Sequence, residues 1–307
     1  MHYTLHQLQI FLKVTQVKSI TRAADELNLT QPAVSIQLRN LQDQFEIPLT
    51  ETIGKKLHVT EFGHVVADSA KKILEEVYAL NYRALAYKGQ LTGKLSISVV
   101  STAKYLVPFF IHDFMRKHPS VEFSIQVTNK AKVIEALDKN LTDLSLVSIL
   151  PEHLRVEKVN LLPNKLFLVG KPDGELQKKR LSREYLQQLP FIFREQGSGT
   201  LQVMERYLKK HNIKPRKTLE LSTNEAVKQA VAAGLGFSLM PLIGMKNELA
   251  QHDLEIIPAP GLPVKSDWHL IWMKGKKNSP LAAEFIEFIR ENRTDLVQKH
   301  FGWTSKY

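Results

Sequence analysis

The sequence predicts a multidomain α/β protein: an N-terminal winged helix-turn-helix, one long linker helix, and a two-lobed α/β domain. Three observations carry this expectation. Residues 19–35 read as two short helices joined by a tight turn. A stripe of apolar residues recurs with a seven-residue period between Val66 and Tyr87. Beyond Gly93, strand-like and helix-like segments alternate along most of the remaining chain, and 307 residues suit two or three domains.

In the N-terminal segment, Leu5, Leu8, Ile10, Phe11 and Val14 give a first amphipathic helix beginning after Thr4. Ala23, Ala24 and Leu27 form the packed face of a second, which Asn28-Leu29 breaks. Thr30 is a good N-cap acceptor, and Pro32 falls early in the third helix, where a missing N–H costs little. Val34, Leu38 and Leu41 turn inward, leaving Gln31, Ser35, Gln37 and Arg39 mainly for the other faces. Pro48-Leu49 and the basic run Gly54-Lys55-Lys56-Leu57-His58-Val59-Thr60 follow as an extended wing. A helix-turn-helix sets the start of its second helix against base edges in the major groove. The expected partner is therefore double-stranded DNA. Gln31, Pro32 and Ser35 are expected to make base or groove contacts, and Arg39 a base or phosphate contact. Lys55, Lys56 and His58 are expected to line the backbone or minor groove.

The linker helix runs from 61 to about 88. Val66, Ala70, Ile73, Val77, Leu80, Ala84 and Tyr87 are spaced 4, 3, 4, 3, 4, 3, the pattern of a coiled-coil seam. The alternative is a helix packed on its own domain. Its length, its strict period and its place between two domains favour a homodimer, whose two heads would address half-sites about 34–36 Å apart or multiples of that. Gly89 to Gly93 ends the helix and acts as a hinge.

From residue 94 the expected order is strand 94–100, helix 104–117, strand 121–127, helix 131–139 and strand 144–149. A strand at 165–170 then opens a second unit: strand 191–193, helix 200–210, strand 217–221, helix 224–233 and a strand near 237–240. Strand 268–274 and helix 281–292 close the series. Such alternation indicates two doubly wound lobes with a cleft between them. The chain is expected to cross between lobes near 150–162 and 257–268, and no element is assigned after Arg293.

In open α/β sheets, ligands sit beyond the carboxyl ends of strands, often at helix N-termini. Ser101-Thr102 and Gly197-Ser198-Gly199-Thr200 occupy such places, where free N–H groups, hydroxyls and helix dipoles favour a carboxylate or phosphate. Each residue would also serve as a helix cap. Arg194 is either an anion partner or an exposed or ion-paired arginine. Thr128-Asn129 and Ser148 stand at the mouths of neighbouring strands and can line the same cleft.

The run Leu8-Gln9-Ile10-Phe11, Ala23-Ala24, Thr30-Gln31-Pro32-Ala33-Val34-Ser35, Val59-Thr60 and Gly63 closely resembles the LysR-type transcriptional regulators, and the resemblance covers essentially the whole chain. It implies a two-lobed, periplasmic-binding-protein-like effector domain, effector contacts at Ser101, Thr102, Ser198 and Thr200, and assembly beyond the dimer into a homotetramer. The segment Phe193-Arg194-Glu195-Gln196-Gly197-Ser198-Gly199-Thr200 looks like that of members regulating carbon fixation and sulfur assimilation, which respond to small anionic metabolites. Three departures stand out. Gln42 replaces a usual Glu, Leu49-Thr50-Glu51-Thr52 lacks the common Leu-Phe and nearby Arg, and Leu201 replaces a frequent Arg. The expected division is 1–60 for the DNA-binding domain and 61–93 for the linker and hinge. The effector domain is 94–292, with lobe one about 94–162 and 266–292 and lobe two about 163–265. A tail, 293–307, remains.

Composition bounds the rest. The net charge of +11 does not locate the DNA surface: residues 1–89 carry 10 Lys+Arg against 9 Asp+Glu, and the remainder 32 against 22. The absence of cysteine excludes disulfides, thiol redox sensing and Cys-based zinc sites. No N-terminal stretch reads as a secretory signal, and no apolar run approaches the ~20 residues needed to span a bilayer. A cytoplasmic protein without membrane association is expected. The 11 histidines are scattered without His-Glu-x-x-His spacing, and neither Gly-x-Ser-x-Gly nor a phosphate loop occurs. Ala232-Ala233-Gly234-Leu235-Gly236-Phe237 follows a helix and precedes a strand, the wrong order for a nucleotide loop, and reads as a turn. No catalytic residue, metal or cofactor is assigned. An enzyme or a solute-binding protein built on the two-lobed domain is the alternative; neither accounts for the fused reading head.

Overall fold

The computed structural model describes residues 3–54, 56–86, 91–172 and 181–307. The chain divides into two units, 1–89 and 90–307.

In the first unit, helix α1 (Leu5–Val17) opens with a capping box: Thr4 N–H donates to Gln7 Oε1 at 2.8 Å and Gln7 N–H to Thr4 Oγ1 at 3.2 Å. Ser19 caps α2 (Ile20–Leu27), which ends on Asn28 in the left-handed region at φ 54°. Thr30 caps α3 (Gln31–Gln42), with Pro32 in its first turn. Ile10, Phe11, Val14, Ala23, Val34 and Leu41 pack into one fully buried core. The wing is an antiparallel hairpin, β1 (Thr50–Ile53) with β2 (Lys56–Val59), whose turn begins at Gly54, φ +55°. Thr60 and Gly63 then fix the next helix, α4 (Glu61–Ala86). Thr60 Oγ1 donates to Pro48 O at 2.6 Å and accepts from Gly63 N–H at 2.9 Å. A Cβ on Gly63 would stand 2.0 Å from Leu49 O, so only glycine lets α4 approach this turn.

The heptad stripe divides in two. Ala70, assigned to an intermolecular seam from its spacing, is instead buried with Ala67 and Leu74 against the core of its own unit, and Val66 packs beside them. The helix needs an inward face here because α1 lies alongside it. Ile73 and Leu80 remain exposed, Leu80 to 64 %. Tyr87, Lys88 and the Gly89 hinge, and the side chain of Ala84, lie outside the described residues.

The second unit begins with β3 (Gly93–Val100), a 3₁₀ turn (Ser101–Tyr105), α5 (Val107–Lys117), β4 (Val121–Thr128), α6 (Lys130–Asp138) and β5 (Leu144–Val147). The helix expected from residue 104 starts at Val107, because Pro108 fits only a first helical turn. There follow β6 (Val156–Gly170), α7 (Arg183–Gln188), β7 (Pro190–Arg194), α8 (Gly199–Lys210), β8 (Arg216–Leu221), α9 (Asn224–Ala232) and β9 (Ser238–Pro241). Last come α10 (Lys246–Ala250), β10 (Glu255–Ile257), β11 (Val264–Met273) and α11 (Pro280–Phe301). The large sheet has the order β10-β6-β11-β5-β3-β4, with β9 also paired to β6, and β3 runs parallel to both β4 and β5. In the second lobe, burial alternates residue by residue. Leu166, Leu168, Phe191, Phe193 and Leu239 face α8, while Phe167, Val169, Ile192 and Met240 face α9. This is a doubly wound sheet with helices on both faces.

The crossings expected near 150–162 and 257–268 each run from an irregular stretch, ending at 155 and 263, into a long strand. β6 and β11 pair antiparallel from Val264↔Leu166 to Met273↔Val156, with an irregularity between Asp267 and His269. Pairing keeps the backbone donors and acceptors satisfied where the chain passes between lobes. The tail after Arg293 continues α11 to Phe301 and ends in a 3₁₀ turn (Gly302–Lys306). Leu296 and Phe301 are buried in the first lobe, and Trp303 packs against the cores of both lobes. Lys165 Nζ donates to Thr304 O at 3.1 Å.

Candidate functional site

The reading head presents one outward face. With Val34, Leu38 and Leu41 inside, α3 turns Gln31, Pro32 and Arg39 outward and leaves Ser35 half-buried. Ile36, an apolar residue not expected there, is 55 % exposed on the same face. His58 is exposed on β2. Lys55 and the side chain of Lys56 lie outside the described residues.

The second site lies between the lobes. Ser101 and Thr102 follow the end of β3, Ser148 follows β5, and Ser198 and Thr200 begin α8. All five line one cavity of about 20 Å³, with Asn129, Lys130 and Ile149. Thr102 is 5 % exposed. Ser198 Oγ accepts from Leu201 N–H at 3.5 Å, the capping role expected of it. Among the described residues no carboxylate lines this throat. It opens on one side into a groove of about 690 Å³ between α6 and α8, lined by Gln202, Arg206, Glu152 and His153 among others. On the other side, Ser101 and Asn129 also border a groove of about 400 Å³. Thr128 and Arg194 line that second groove and not the throat, so the expected effector set is shared between two adjoining spaces.

Arg194 is 2 % exposed and already engaged. Its Nε donates to Glu195 Oε2 at 2.9 Å and Nη2 to Glu195 Oε1 at 3.2 Å, while Nη1 donates to Asn224 Oδ1. Nη2 also reaches Ser101 Oγ at 3.4 Å, and Asn224 Nδ2 donates to the same hydroxyl at 3.0 Å. Arg194 is thus an ion-paired arginine that ties the second lobe to Ser101 of the first. Other contacts close the same gap. Ala131 N–H donates to Gly197 O at 3.1 Å. Lys130 Nζ donates to Gln202 Oε1 at 2.7 Å. Tyr105 O–H donates to Glu225, which Lys104 also meets at 3.2 Å. Burial pushes the Glu225 carboxyl up, but the hydrogen bonds from Tyr105, Lys228 and Lys104 outweigh it and bring its pKa down to about 2. The Tyr105 hydroxyl is pushed well above its ordinary range, by burial first and then by its bond to Glu225.

Sequence reading missed Lys130, Gln202 and Asn224. The signal for Lys130 was present: a cation in the first turn of a helix opposes the helix dipole, and α6 has Lys130 and Lys132 there with no acidic residue.

Comparison with known proteins agrees with this geometry. Residues 5–64 match the bacterial regulatory helix-turn-helix protein family of the lysR type, and residues 88–294 match the LysR substrate binding domain. The chain belongs to the LysR family. It is a DNA-binding transcriptional regulator with an effector-binding domain. A RuBisCO operon transcriptional regulator of Allochromatium vinosum is 36 % identical over 290 residues, covering 94 % of this chain and 96 % of that one. The regulatory domain of Synechocystis PCC6803 CcmR, solved in complex with 2-PG, superposes with a TM-score of 0.64 at 31 % identity, covering 66 % of this chain and 99 % of that one. Full-length CbnR, solved with its target DNA, has the same fold, at a TM-score of 0.64 and 24 % identity over 94 % of this chain and 99 % of its own. These two structures bear out the winged helix-turn-helix and two-lobed architecture. Among the described residues no helix is long and apolar enough to cross a membrane.

Proposed function

We propose that this regulator reads DNA as a homo-oligomer joined through α4, and that a small anionic metabolite bound between the lobes sets that reading. The throat carries the proposal: five hydroxyl residues from three strand ends converge on one cavity, with Lys130 on its wall and, among the described residues, no carboxylate. Donor-rich surroundings of this kind stabilise a carboxylate or phosphate. The CcmR relative supports the class of ligand, since 2-phosphoglycolate is a small anion. Ser101, Thr102, Ser148, Ser198 and Thr200 are the primary contacts, with Thr128 and Arg194 at the adjoining groove. In the head, Gln31, Pro32 and Ser35 read base edges. Arg39, Lys55, Lys56 and His58 hold the backbone. In this reading the head, linker and two lobes keep the expected boundaries, with the end of α11, to Phe301, added to the first lobe and residues 302–307 set between the two. The cleft is a binding site and not a catalytic one, in keeping with relatives that are regulators, and the protein acts on DNA in the cytoplasm.

A footprint on the intergenic DNA beside the protein's own gene tests this reading, with and without 2-phosphoglycolate and a panel of small carboxylates and phosphates. The expected result is a protected pair of half-sites that shifts with one anion. Protection that no anion alters would defeat the effector assignment, and no protection at moderate salt would defeat the DNA assignment.

A further inference from the structure

Lys130 occupies an unusual position for a lysine. It is the first residue of α6, where the helix dipole disfavours a positive charge. Its side chain is half-buried. Among the described residues it makes no ion pair, and its hydrogen-bond partner is the neutral amide oxygen of Gln202 on the facing lobe, at 2.7 Å. Burial, and then the charge of Arg206, push its pKa below the ordinary lysine value, although Glu152 opposes this. Lys130 also lines the throat, together with Thr102, a residue only 5 % exposed, and Ser198. A half-buried ammonium with only a neutral partner lacks a counter-ion.

We propose that Lys130 is the charge-reading residue of the effector site: its Nζ holds the oxyanion end of a small phosphate- or carboxylate-bearing ligand, and the Lys130–Gln202 contact is a resting contact that the ligand replaces. The cavity of about 20 Å³ has room for roughly one water molecule. Entry therefore requires the lobe-to-lobe contacts around the throat to part, the Lys130–Gln202 bond among them, and the same event frees the cation. The charge comes from the first lobe, while Ser198, Thr200 and the start of α8 come from the second. An anion spanning them replaces a lobe-to-lobe hydrogen bond with a charge-assisted bridge. Occupancy and lobe packing are coupled at this side chain, as they are at the Ser101 hydroxyl, which also bridges the lobes.

The inference rests on the anionic-effector reading, and calorimetric titration of the full-length protein separates the two. 2-Phosphoglycolate, glycolate and inorganic phosphate serve as probes for wild type, Lys130→Gln, Lys130→Arg and Gln202→Leu, with thermal unfolding to confirm each fold. Lys130→Gln is expected to weaken the tightest-binding probe at least tenfold and to flatten the salt dependence of its binding. Lys130→Arg is expected to recover part of the loss. Gln202→Leu is expected to bind a few-fold more tightly, because Lys130 loses its competing acceptor. If 2-phosphoglycolate and inorganic phosphate bind while glycolate does not, Lys130 reads phosphate; if glycolate binds as well, it reads the carboxylate. Equal losses in Lys130→Gln and Gln202→Leu would mean a structural bridge and overturn the proposal. So would Lys130→Gln binding like wild type, which leaves the effector reading standing. Wild type binding no anion at all would overturn both.

Discussion

Gln42 donates from Nε2 to Ile47 O at 3.2 Å and accepts from Leu49 N–H on its Oε1, pinning the turn that leads into the wing. An ionised glutamate can accept but cannot donate. Gln42→Glu is therefore expected to destabilise the head by about 1 kcal/mol, read as a lower urea midpoint with an unchanged slope. An unchanged midpoint would show that the Ile47 carbonyl is satisfied by water. Gln31 gives a second test at this scale. It stands exposed at the start of α3, and Gln31→Ala should cost on the order of 1–3 kcal/mol at the cognate site. Equal losses on cognate and random DNA would remove it from the sequence-reading set. The head residues were legible because their roles are local: Thr4, Ser19 and Thr30 cap the helices that follow them. Arg194 was not. Its neighbour Glu195 and the distant Asn224 decide its state, and spacing alone does not rank an ion pair against a ligand contact.

Among the elements, α4 shows how one periodic pattern serves two surfaces. Ala67, Ala70 and Leu74 meet the core of the head, whereas Ile73 and Leu80 remain exposed on a neighbouring stripe. Leu80→Asp should therefore shift the protein from dimer to monomer in sedimentation velocity at micromolar concentration while the head keeps its helical signal. A variant that sediments as wild type would place the association elsewhere. The alternation of strands and helices was legible because each lobe buries both faces of its sheet. The full length of β6 was not, for a reason visible at Pro163. A proline reads as a strand break, yet here it lies within β6 opposite Asp267, where the ladder with β11 is irregular and its missing N–H does little harm. The second half of α11 was hidden by the polar run Glu291-Asn292-Arg293-Thr294-Asp295, which separates Leu296 and Phe301 from the earlier apolar positions.

Across the whole effector unit, polar contacts hold the lobes together on both sides of the throat. Glu225 gives this arrangement a pH signature. Its carboxyl is depressed to about 2 against an ordinary value near ~4.3. Its contribution is therefore fully present above the ordinary range and is lost as pH falls through about 2. Between about pH 4 and 2, wild type should lose part of its lobe-to-lobe stability in thermal scans, and Glu225→Gln should show a shallower fall. Parallel curves for the two proteins would assign the acid sensitivity to other carboxylates. The order of the chain has a consequence for synthesis. Phe114 of α5 packs edge-on against Phe285 and Phe288 of α11, and β11 fills the place in the sheet between β5 and β6. The lobe translated first is thus finished by the segment translated last. On the ribosome, residues 91–162 wait with an open apolar face until α11 emerges, whereas the second lobe has nearly all its strands by Ile257. A nonsense codon near the end of the gene would strike the earliest-made lobe hardest.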